Sequence, residues 1–105
     1  MAQFTVYVNL NQNTKDHYPY LVDIQNELLE SLDTRLVIPL ILGSKYESIP
    51  IKELMPVVSI SGKKYIVVIP LQAGVNKKLL GPMIADISKH RQEIISAIDF
   101  LITGY

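Results

Sequence analysis

The stretch PMIADISKHRQEIISAIDFLITGY, residues 82–105, decides the fold, because it is the only long segment whose apolar residues keep helical spacing to its end. Ile84, Ile87, Ile94, Ile95, Ile98, Leu101 and Ile102 fall on one stripe, while Asp86, Lys89, His90, Gln92, Glu93, Ser96 and Asp99 mostly fall away from it. The spacing predicts one amphipathic helix over residues 82–105. Gly81 and Pro82 suit its start, since proline in the first turn gives up no backbone hydrogen bond. Gly104 suits its stop, as a residue free to take the left-handed conformation. Tyr105 alone follows, presented from the helix tip as either a frayed end or a contact point.

Everything before this stretch reads as sheet. Phe4, Val6 and Val8 alternate with Thr5 and Tyr7, the period of a first strand. Residues 9–18 hold Asn9, Asn11, Asn13, Asp16 and His17 with no sustained period, which predicts a mobile surface loop. Residues 20–25 form a second strand after Pro19, and Leu28 and Leu29 sit in a short connector. Residues 34–42 are the most strand-like run, apolar on both faces and therefore central. Pro39 interrupts that ladder and marks a bulge or a change of sheet. Residues 57–60 and 63–69 flank Ser61 and Gly62, a hairpin signal. Residues 72–80 hold one more short strand. Five or six strands followed by one helix argue for an α+β, mainly β fold, an SH3-like, partly closed antiparallel barrel with a C-terminal helix.

The chain has 105 residues, enough for one core and one domain. Its 49% hydrophobic content against 19% charged leaves more apolar surface than a small core hides, which points to a dimer. Ten basic and ten acidic residues cancel, so no general attraction to a nucleic-acid backbone follows. With no cysteine there is no disulfide, thiol nucleophile or thiolate metal site. Residues 1–12 lack the features of a signal peptide, and the longest apolar run, residues 65–71, is too short to cross a bilayer. The expectation is a soluble, cytoplasmic protein.

Few residues carry chemistry. His17 and His90, the only histidines, do not make a zinc site; His90 reads as a solvated helix residue beside Asp86, and Lys89 as a partner of Glu93. Arg91 falls in the apolar stripe, with its stem on the core and its head at the rim. Arg35 opens the central strand, where it pairs with Asp33 or Asp23 or faces a phosphate. No nucleophile elbow is present.

Gln3-Phe4-Thr5-Val6-Tyr7, Leu21-Val22-Asp23-Ile24-Gln25, Arg35-Leu36-Val37-Ile38-Pro39-Leu40, Leu54-Met55-Pro56-Val57-Val58 and Ala85-Asp86-Ile87-Ser88 occur in that order, and together they resemble the CcdB family of toxins. The resemblance implies an SH3-like barrel with a small side sheet, a homodimer and a non-enzymatic role without cofactor or metal. It implies binding to the A subunit of DNA gyrase, trapping of the cleaved gyrase–DNA complex, and neutralisation by an antitoxin with a disordered C-terminal segment. It places the contact at the end of the helix, where the places of the family's tryptophan, glycine and isoleucine hold Thr103, Gly104 and Tyr105, so that only the glycine is kept. Gln3, Phe4 and Tyr7 match family positions near that tip, Leu28 keeps the apolar character of another, and Asp99 replaces an asparagine. The antitoxin is expected on residues 9–18 and 43–56. Two rivals stand beside this reading: a barrel endoribonuclease using Arg35 with Asp23 or His17, and an antitoxin-binding module that no longer engages gyrase.

Overall fold

The computed structural model describes residues 2–29, 31–46, 51 and 53–104. Among them lie seven strands, β1 (Thr5–Asn9), β2 (Tyr20–Asp23), β3 (Thr34–Leu42), β4 (Val57–Ile60), β5 (Lys63–Val67), β6 (Ala73–Asn76) and β7 (Leu80–Asp86), and then one α-helix, α1 (Arg91–Thr103). All pairings are antiparallel, in the order β4-β5-β3-β2-β1-β7, with β6 attached to the side of β3. Ser61 and Gly62, with φ of 53° and 80°, turn β4 into β5 as the sequence signalled.

β3 is central because it is apolar on both faces, and it serves more neighbours than any other strand. One edge pairs with β2 from Val37 to Leu40, opposite Asp23 to Tyr20. The other edge is shared, with Thr34 to Val37 on β6 and Leu40 to Leu42 on β5. Pro39 stands at the changeover. Its carbonyl accepts from Val68 N at 3.0 Å, so the N–H it lacks faces the edge where one partner has ended and the next begins. The ladder therefore loses little there. The expected change of sheet is a branch: β6 forms the small side piece on the first half of β3.

On the inner face Val6, Val22, Ile38, Leu40, Tyr65 and Val67 meet Phe4, Ile69, Ile87, Ile94 and Ala97 in the principal core. On the reverse face Tyr7, Leu21, Val37 and Leu80 form a second cluster, and Ile41, Ile66 and Val68 a third beneath Tyr18, Tyr46 and Met55. The sheet thus curls into a half-barrel around the principal core, with α1 packed on the same side: an α+β, SH3-like architecture. No helix among the described residues is long and apolar enough to cross a membrane.

The helix begins nine residues later than the sequence predicts, a correction with a clear cause. Residues 80–86 pair with β1, through Thr5↔Asp86, Val6↔Ala85, Tyr7↔Met83 and Asn9↔Leu80. Ile84 and Ile87 fit helical spacing, but an open edge of β1 offers them ladder bonds that a helix cannot. Tertiary pairing overrides local preference. Pro82 is tolerated because β7 is an edge strand. Asp86 Oδ1 then accepts from Ser88 N at 2.8 Å and starts the turn at Ser88–His90 that leads into α1. That backbone bond and the Ser88 side chain hold the Asp86 carboxyl below its usual range.

Two polar groups of the sheet are buried with their partners. Arg35 and Asp23 are both 0% exposed, with Nη2 and Nε donating to Oδ2 at 2.6 and 2.9 Å. Of the partners the sequence leaves open for Arg35, Asp23 is in contact with it. Asn9 is also buried, and its amide donates to Thr14 Oγ1 at 3.0 Å and Tyr18 O at 2.8 Å, while Oδ1 accepts from Asn11 N at 3.0 Å. It ties both ends of the loop at residues 10–19. Asn9→Ala strands these partners, and we expect a loss of about 1–3 kcal/mol. The loss is read from the urea midpoint, with faster hydrogen exchange at Tyr18 and Asn11.

Candidate functional site

α1 carries the candidate site at its far end. Ile94 and Ala97 are buried and Ile95 and Ile98 half-buried, so the helix is held over its first two turns. Beyond Ala97 that hold weakens. Leu101 and Ile102, which the sequence places on the core stripe, are exposed, Ile102 to 71%. They are the apolar surface of the site that sequence reading assigned to the core. The signal for them is distance: a stripe that continues past the last buried residue has nothing left to cover.

Gly104 closes the helix in the left-handed conformation, φ 78°, with its N–H donating to Phe100 O at 2.8 Å. The expected cap is therefore present. Thr103 Oγ1 donates to Asp99 O at 2.7 Å, which folds its hydroxyl back on the helix, and Asp99 is exposed. No basic residue lies in the last turn. The negative end of the helix dipole and the Asp99 carboxylate thus act together, and the tip favours a partner surface that offers hydrogen-bond donors or positive charge. Tyr105 lies outside the described residues.

Of the other expected site residues, Phe4 and Tyr7 lie in the core clusters and not at this tip. Gln3 is half-buried and its Nε2 donates to Ile24 O at 3.1 Å. Phe4 is buried in the principal core, with the Arg91 guanidinium carbon 6.0 Å from its ring centroid. Arg91 is the first residue of α1, so Phe4 stands at the root of the helix, about 18 Å of helical rise from Thr103. Tyr7 is buried in the second cluster on the reverse face. Leu28 stands on the turn at Glu27–Leu29 between β2 and β3, 90% exposed. Asp99, Thr103 and Gly104 are the members that share one surface.

Arg35 and Asp23, two of the residues named for the ribonuclease reading, are closed to solvent and bound to each other. His17 is exposed in the loop with its ring edge-on to Tyr18 at 4.6 Å. His90 contacts Glu93 through Nδ1 at 2.8 Å, in place of the Asp86 contact expected, because the strand at residues 80–86 has carried Asp86 off the helix. No cluster of metal-ligating side chains occurs among the described residues. Of the surfaces expected for an antitoxin, the loop at residues 10–19 is mostly exposed, while residues 47–50 and 52 lie outside the described residues.

The half-barrel, the terminal helix and the order of the sequence motifs all converge on the family already resembled. Residues 3–104 match the family model described as CcdB protein, and the chain belongs to the CcdB family, toxins of toxin–antitoxin pairs.

Proposed function

We propose that this toxin acts as a twofold dimer that binds the A subunit of DNA gyrase and traps its cleaved, covalently linked complex with DNA. Its cognate antitoxin, through a disordered C-terminal segment, neutralises it. The toxin itself makes and breaks no bond. The observation that carries this reading is the exposed apolar last turn of α1, with Ile102 and Leu101 beyond the core and Asp99 beside them. A large aliphatic side chain at the end of an ordered helix is a contact already arranged for a pocket, and it loses little conformational freedom on binding. Gyrase passes through a state with its DNA cut, and a ligand fitting only that state raises its population. Twofold symmetry in the target calls for two tips related by the same symmetry. The exposed Met83, Ile84 and Leu71 supply apolar surface for a second copy.

The test incubates supercoiled plasmid, gyrase and ATP with the protein and measures linear DNA after detergent and protease. Linear DNA should accumulate only when both gyrase and the toxin are present, and RNA incubated with the toxin alone should stay intact. Ile102→Asp should weaken trapping by about thirtyfold, equivalent to ~2 kcal/mol of lost contact, with an unchanged thermal midpoint. Equal trapping by Ile102→Asp would remove the helix tip from the mechanism.

A further inference from the structure

We propose that Phe4 is a positioning residue, which fixes the direction of α1 and so places the tip without touching a partner. The ring is 3% exposed, so it has no area to offer a target in this conformation. Its backbone is the unusual feature. Phe4 has φ 64°, a region that bulky side chains avoid. Such a conformation persists only where the surroundings over-determine it. Here they do so on three sides. Phe4 N donates to Asp23 O at 2.5 Å, and Asp23 is itself fixed by Arg35. Phe4 O accepts from Ile87 N at 2.9 Å. The ring lies in the principal core, with the Arg91 guanidinium within cation–π range of its face.

Ile87 and Arg91 bracket the turn from which α1 departs. Phe4 therefore grips the root of the helix by its carbonyl on one side and by its ring on the other. A residue whose only task is to fill the core could do so from an ordinary strand conformation. The left-handed one turns carbonyl and ring together toward the root. Leverage makes this matter: over the 13 residues of α1, a tilt of about 10° at the root moves the tip by about 3 Å. A shift of that size is enough to spoil a fitted contact.

The functional half of this inference rests on the gyrase reading, and the experiment separates the two. The chain has no cysteine, so spin labels at Ser96→Cys on α1 and Lys64→Cys on β5 report the helix direction directly. Both positions are exposed. Arg91→Gln, a change at an exposed position that leaves the core intact, and Phe4→Leu, which keeps an apolar filling without a flat ring, should each broaden or shift the label distance. Arg91→Lys should restore the parent distance. Gyrase trapping should fall at least tenfold in the two displaced variants and recover in Arg91→Lys. Unchanged distances in folded Arg91→Gln and Phe4→Leu overturn the proposal; changed distances with parent-level trapping overturn its link to function. If the parent itself fails to trap gyrase, the functional reading falls, while the label distances still decide the role of Phe4.

Discussion

Arg35→Met is expected to lower the free energy of unfolding by about 3–5 kcal/mol, because it leaves the Asp23 carboxylate buried without its counter-charge. Both side chains are fully enclosed, and the guanidinium reaches one carboxylate oxygen with two nitrogens. The other oxygen, Oδ1, accepts from Gln25 N at 3.0 Å, so the carboxylate is spoken for on both sides. Removing the cation strands a charge that water cannot reach. The comparison that isolates this cause is Arg35→Met with Asp23→Leu. Replacing a buried pair by apolar groups is often neutral, so the double variant should regain much of the loss. It should not regain all of it, since Gln25 N then lacks its acceptor, at a cost of about 1–3 kcal/mol. Urea unfolding of the four proteins at one chain concentration measures each value. A double variant no more stable than Arg35→Met would show that the deficit comes from lost packing of the arginine stem.

The second large effect is expected at Ile94. It is the large buried side chain of α1 and, with Ala97, fixes the helix to the sheet. Ile94→Ala removes three carbon atoms from the principal core, and the sheet cannot collapse on the space without moving the strands that line it. The expected cost is about 2–5 kcal/mol, against roughly 0.5–1.5 kcal/mol for Ile94→Val. Thermal unfolding monitored by circular dichroism checks both. Hydrogen exchange separates local from global loosening: α1 amides should exchange faster than those of β3 in Ile94→Ala under native conditions. Equal acceleration in helix and sheet would mean that α1 does not come away on its own.

Much of the sheet was legible because period-two alternation and turn chemistry act locally. The hairpin at Ser61 and Gly62, the two apolar faces of β3 and the interruption at Pro39 are all properties of short windows. The missed strand, β7, depends on something no window contains. Residues 80–86 carry apolar residues at spacings that suit a helix, and only the open edge of β1, some eighty residues upstream, makes them a strand. The candidate site divides in the same way. Gly104 as the helix cap follows from glycine chemistry, but the exposure of Leu101 and Ile102 depends on where the sheet stops. Phe4 and Tyr7 belong to one family motif in the sequence. Phe4 stands one residue before β1 with φ 64°, outside the alternation that carries Tyr7, and the structure puts the two rings in clusters on opposite faces of the sheet. The left-handed conformation of Phe4 has no signature in a phenylalanine.

The pairing of β1 with β7 also bears on how the chain assembles in time. Hairpin β4–β5 closes over two residues, and β1–β2 over a short loop, so both form with little loss of chain entropy. Joining Thr5 to Asp86 closes the longest loop among the strand pairings, and contacts of such high sequence separation form slowly. Only after that closure can Phe4 O receive Ile87 N and set the departure of α1. The direction of the tip thus depends on a contact of high sequence separation. Opening β7 from β1 should therefore release the direction of α1 while the β4–β5 hairpin stays closed.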